Sequence, residues 1–340
     1  MLSLLSGLLM ICFSAVGYSQ EIVKLESGTN TSIRGLSIVD NSIAWVSGSN
    51  GYSGITKDRG VTWKWNQVPG YEKFDFRDIE AFSSQDAVMV SAGSPAIILL
   101  TADGGQSWNE VYRNDAPEIF LDGMDFWDPK RGIIYGDPIL GKMQLLETID
   151  GGSTWKDISS QLTIPLIEGE ASFAASGTAI RTGKKGNVWI ATGGKQSRIF
   201  HSKDYGKNWQ AFPCPITQGL ASTGPISIAF INKKAGVAAG GDYLKDTLRS
   251  DNLVITNDGG RNWSKPAIAP FGYRSAIEYI SKKILIATGT SGTDISEDGG
   301  VTWRNISSDG YNCIRRSKKG SWILLAGAKG RISKIVTKIR

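Results

Sequence analysis

The side chains able to do chemistry are few, and arginine leads them. Arg34, Arg77 and Arg274 fall within a residue of one another relative to the apolar strands that follow them. A planar guanidinium grips a carboxylate or a phosphate through two parallel hydrogen bonds. With Arg198 and Lys329 expected on the same face, they outline a cationic site for a carboxylate, a phosphate or an acidic protein surface. The competing reading is a set of solvated surface charges. Asp242 and Tyr243, on the long connection 240–252, and Tyr273, next to Arg274, complete the group.

Other chemistries lack the residues they need. One histidine and three cysteines are too few for zinc, haem or Cys–His sites. No Gly-x-Gly tripeptide occurs, so the dinucleotide fingerprint is missing. His201 stands three residues before Asp204 on a strand leading to a turn, and reads as structural rather than as part of a triad. No cofactor and no metal are expected. The net charge of +6 is spread along the chain, without a basic arm or zinc-finger spacing, which argues against nucleic acid.

The elements that must position these side chains announce themselves by repetition. Six times the chain reads Thr or Ser, x, Asp, x, Gly, two residues and Trp, with the aspartates at Asp58, Asp103, Asp150, Asp204, Asp258 and Asp298. Successive aspartates stand 40 to 54 residues apart, which is the length of a four-stranded propeller blade. In each, the aspartate can accept hydrogen bonds from its own turn, and the glycine two places on supplies a left-handed conformation. The residue between them varies and is expected to point to water, while the tryptophan covers the junction between blades. One carboxylate per turn is far short of the six to eight oxygens that calcium takes, so the motif is structural.

These turns are Asp boxes, and the chain resembles the sialidase-like, BNR-repeat propellers. Within that group it is similar to the photosystem II stability and assembly factor-like family, including its bacterial members. The similarity rests on the boxes and on the stretches Gly169-Glu-Ala-Ser-Phe-Ala-Ala-Ser-Gly177, Gly240-Gly-Asp-Tyr243, Gly272-Tyr-Arg-Ser275 and Thr290-Ser-Gly-Thr-Asp-Ile-Ser296. The resemblance implies an all-β propeller that binds a protein partner and assists assembly of a membrane complex. It also brings an alternative, a sialidase-like glycoside hydrolase. There Arg34, Arg77 and Arg274 would hold the substrate carboxylate, and Tyr273 and Glu278 would act as the reactive pair. The Phe/Tyr-Arg-Ile-Pro motif of sialidases is absent.

Apolar stretches ending in glycine precede each box, and a seventh, 322–327, follows the last. A third strand, 331–336, has no fourth after it, so 21–26 is expected to supply the outer strand and close a seven-bladed ring. Six blades is the alternative. Ser37, Asp125, Ala229 and Glu278 alternate with apolar neighbours on the inner strands and should line the central channel. The apolar run 2–16, followed by small residues, reads as a signal peptide over 1–20, leaving one domain over 21–340. An uncleaved anchor is the competing reading, and Cys12 lacks a good lipoprotein context. No later segment could cross a bilayer as a helix. Cys214, after an outer strand, and Cys313, on an inner one, should be unpaired buried thiols. The expected protein is exported to the periplasm, envelope or exterior. It is monomeric, and it binds a protein partner or an anionic ligand without covalent chemistry. The long connections 158–173 and 240–252 either carry that function or plug the channel.

Overall fold

The structure is a computed structural model that describes residues 18–339. Its strands form seven antiparallel sheets arranged as the blades of a propeller. The inner strands of blades 1 to 7 are Ile33–Ile38, Asp75–Ala81, Leu121–Phe126, Ile180–Gly183, Thr223–Phe230, Ala276–Tyr279 and Cys313–Arg316. The apolar second strands are buried along nearly their whole length, as strands covered on both faces must be.

Blade 7 takes its outer strand from the other end of the chain. Tyr18–Leu25 pairs antiparallel with Ile332–Ile339, from Tyr18 opposite Ile339 to Leu25 opposite Ile332. This satisfies an edge that would otherwise offer its backbone to other chains. The strand begins three residues before the expected domain start, because Tyr18, Ser19 and Gln20 are already paired. The signal segment otherwise lies outside the described residues, as does Cys12. Blade 5 departs from the four-strand pattern. Its outer position holds only the bridge between Ile255 and Ser264, since Pro266 and Pro270 cannot donate to a ladder. The chain crosses instead to blade 6, where Ala267 N donates to Val301 O and Trp303 N to Ile268 O.

The Asp boxes share one geometry. In the first, Asp58 Oδ1 accepts from Thr56 Oγ1 at 2.8 Å and Thr62 N at 2.9 Å, and Oδ2 accepts from Thr62 Oγ1 at 2.6 Å. Gly60 N donates to Thr56 Oγ1 at 2.9 Å. The residue between aspartate and glycine is more constrained than its variety implies. Arg59 and Tyr205 have φ of 64°, and the four glycines there are also left-handed. Tyr205 does not simply face water, for its ring lies 5.2 Å from that of Trp127 and 3.9 Å below the Arg131 guanidinium. Each box tryptophan packs on a core shared with the preceding blade, as Trp108 does with Trp45 of blade 1 at 6.2 Å. Cys214 and Cys313 are buried and free, their thiols pushed up to about 12 by burial.

Candidate binding site

Two cavities open at the ends of the central channel, and residues 173–179 of blade 4 run between them. Ala175 O accepts from Arg34 Nη1 of blade 1 at 3.1 Å, and Gly177 O accepts from Arg315 Nη2 of blade 7 at 3.1 Å. Ser176 Oγ donates to Ser275 O of blade 6 at 2.7 Å, and Thr178 Oγ1 shares a proton with Ser227 Oγ of blade 5 at 2.6 Å. Gly177, at φ 65°, is required by blade 2. A Cβ there would lie 2.3 Å from the Asp78 carboxyl group. The plug is therefore this segment, the end of the long connection 158–173 and the six residues beyond it.

The cavity on the face opposite the boxes holds about 460 Å³. Arg34 and Arg77 reach it by a shared device. The inner strands of blades 1 and 2 each carry a β-bulge, between Ile33 and Gly35 and between Phe76 and Asp78, and the extra residue is the arginine. A bulge re-aims a side chain, here into the channel mouth. Arg77 Nε donates to Asp75 Oδ2 at 2.8 Å, and Nη1 leans on Ala174 O at 3.5 Å. Burial lowers the Arg34 pKa, and Arg77 beside it lowers it further. Two guanidinium groups held close to each other favour an incoming anion. Phe173, Tyr243 and Tyr273 form the aromatic wall, with Tyr243 at 6.4 Å from each of the other two rings. Burial raises the Tyr273 pKa, which Arg34 opposes. Among the residues named from sequence, Arg34, Arg77, Tyr243 and Tyr273 meet here.

The others do not. Arg274 is fully buried: its Nε donates to Asp294 Oδ2 at 2.7 Å, Nη1 to Tyr273 O at 2.7 Å and Ser291 Oγ at 2.9 Å, and Nη2 to Phe271 O and Asp294. Its donors are spent inside blade 6, so it offers nothing to a ligand. Arg198 is likewise spent on buried Glu170, with Nε–Oε1 at 2.9 Å and Nη2–Oε2 at 2.6 Å. Asp242 is buried and receives Leu244 N at 3.0 Å, which shapes the loop that presents Tyr243. Lys329 is exposed in the turn Ala328–Gly330, beside a separate hollow between blades 7 and 1.

The opposite mouth, of about 450 Å³, is lined by paired charges. Glu278 binds Arg181 at 3.0 Å, and Lys318 binds Glu80. Glu278 and Tyr273 thus line different cavities, and the pair that a sialidase mechanism needs is not assembled. His201 is buried, stacks on Trp189 at 4.6 Å and donates from Nε2 to Asn187 Oδ1 at 3.0 Å. Burial drops its pKa to about 4, so it acts as a core residue.

Known proteins share this architecture. A family model described as photosynthesis system II assembly factor YCF48 matches residues 16–117. The chain is 24% identical over 261 residues to photosystem II assembly lipoprotein Ycf48 of Synechococcus sp. (strain CC9902), covering 67% of this chain and 73% of that one. It is 26% identical over 221 residues to the chloroplastic photosystem II stability/assembly factor HCF136 of Arabidopsis thaliana, covering 64% of this chain and 45% of that one. The solved structure of YCF48 bound to D1 peptide matches with a TM-score of 0.67 at 16% identity, covering 94% of this chain and 97% of that chain. The chain resembles the photosystem II assembly-factor propellers.

Two acids of this assembly-factor-like propeller, Asp122 and Asp137, escaped the sequence reading. Asp122 lies at the bulge of blade 3, between Leu121 and Gly123, and lines the same cavity as the two arginines. Its signal was present. Asp122 precedes Gly136 by the interval at which Arg34 precedes Gly48, and those glycines pair equivalently across the bulges.

Proposed function

We propose that this protein is an exported, non-catalytic scaffold that captures a segment of another protein at the channel mouth opposite the Asp boxes. The observation that carries the reading is the matched pair of bulges that turn Arg34 and Arg77 from adjacent blades into one aromatic-walled cavity. The relatives support a polypeptide ligand, since they are assembly factors and one was solved with a D1 peptide. A lipoprotein and a chloroplastic factor among them fit a chain that leaves the compartment of its synthesis. The leader then ends before Tyr18, so that Tyr18–Leu25 remains to close the ring.

The test is binding of an acidic peptide array by the wild type and by Arg34→Ala/Arg77→Ala. Each charge-assisted hydrogen bond is worth about 1.5–3 kcal/mol, so affinity should fall roughly tenfold or more. Equal binding by the double variant would sink the site. Turnover of a fluorogenic sialoside, abolished by Glu278→Gln, would sink the scaffold.

A further inference from the structure

The cationic rim of this mouth stands over an acidic floor whose hydrogen bonding is incomplete. Asp122 is 1% exposed, and among the described residues neither of its carboxylate oxygens has a hydrogen-bond partner. Its bulge places it in the same cavity as Arg34 and Arg77. The carboxyl group of Asp137, also lining the cavity, receives only Ser172 N among the described residues, at 2.9 Å. Burial pushes both carboxyl groups above their usual range. Asp137 raises Asp122 further, and Arg77 only opposes this, since its own Nε is committed to Asp75. A buried carboxylate without donors is costly unless a cation or a set of N–H groups meets it.

We propose that Asp122, with Asp137 beside it, receives an ammonium or guanidinium group, carried by a lysine or arginine side chain of the captured segment. The proposal rests on the reading of this mouth as a protein-capture site. An ammonium brings three donors and a guanidinium five, which is what the two open oxygens lack. The walls suit such a guest, because Phe173, Tyr243 and Tyr273 can pack its alkyl stem and face its charge. Two acids, Asp122 and Asp137, and two bases, Arg34 and Arg77, thus line one mouth, and Asp75 already pairs with Arg77. A segment carrying both signs is therefore matched better than a purely acidic one. A metal ion fits less well, for no group of three or more His, Cys, Asp or Glu converges among the described residues.

The experiment titrates n-butylammonium and n-butylguanidinium into the full chain by calorimetry, with n-butanol as the uncharged control. The wild type should bind both cations and not the alcohol. Asp122→Asn should lose about tenfold or more in affinity. Without any probe, Asp122→Asn should melt higher than wild type at neutral pH, because it removes a carboxyl group that must take up a proton on burial. Cation binding that is absent, or equal in Asp122→Asn, overturns the proposal, and so does a lower melting temperature for that variant. Asp137→Asn serves as the second variant and should weaken the cations by a smaller factor. Acidic-peptide binding reports separately. If it survives while the cations fail, the capture reading stands and the acidic receptor falls. If Arg34→Ala/Arg77→Ala leaves peptide binding untouched while Asp122→Asn removes cation binding, the reverse holds.

Discussion

Arg274→Ala separates a structural arginine from Arg34, which we propose binds a ligand. Arg274 and Asp294 are both fully enclosed, and Arg274 also ties Tyr273 O, Ser291 Oγ and Phe271 O. Truncation would leave Asp294 with only Phe271 N at 2.9 Å and Asn305 Nδ2 at 3.1 Å as donors, its charge uncompensated. Breaking a buried ion pair from one side costs about 3–5 kcal/mol. A protein of this size unfolds with an entropy of roughly 0.7 kcal/mol/K, so the melting temperature should fall by about 4–7 °C. Arg34→Ala removes one hydrogen bond of 3.1 Å from a charged donor at a half-buried site, worth about 1.5 kcal/mol, and should lower it by roughly 2 °C. Arg274→Lys keeps the charge, loses the fork and should fall between them. Scanning calorimetry with intrinsic fluorescence decides the matter. If Arg274→Ala melts within about 1 °C of wild type, or Arg34→Ala loses as much, the assignment of roles is wrong.

Two further outcomes concern the plug and the boxes. Gly177→Ala would put a methyl group against the Asp78 carboxyl in a left-handed conformation. Asp78 links Ile79 N and Met124 N across two blades, so displacing it should cost about 2 kcal/mol or more, read as a drop in melting temperature; an unchanged melt would mean that the plug yields freely. The box acids Asp58, Asp103 and Asp258 are held at about 2 by hydrogen bonds from Thr62, Ser107 and Asn262. Because their folded values lie below the unfolded ones, their contribution is complete above about pH 4 and is lost as the pH falls through about 2. Urea midpoints measured at stepped pH should decline across that window, and less steeply in Asp103→Asn; a flat profile would contradict the box geometry.

What could be read in advance divides along a physical line. The boxes are local: an aspartate, a hydroxyl and a left-handed glycine satisfy one another within a few residues, so Asp58 or Asp298 declares its turn without help from the rest of the chain. Ring closure was legible because a blade short of one strand needs its edge paired and 21–26 could supply it; the strand that does so is Tyr18–Leu25. The site was legible only in register. Arg34, Arg77 and Arg274 occupy similar places relative to their inner strands, yet Asp294, 20 residues further along, turns Arg274 inward, and nothing local distinguishes it from the other two. The same blindness hid Asp122, which obeys the bulge register but carries the wrong sign for a search made among cations. The connection 158–173 was one of two read as a possible plug, but residues 174–179, small and without periodicity, gave no hint of crossing the channel, because their role is written in carbonyls that accept from Arg34, Arg77 and Arg315. A rigid ring thus fixes where side chains can go, and partners distant in sequence decide which of them stay available. For this protein the channel mouth is the place where that choice leaves charges of both signs open to another molecule.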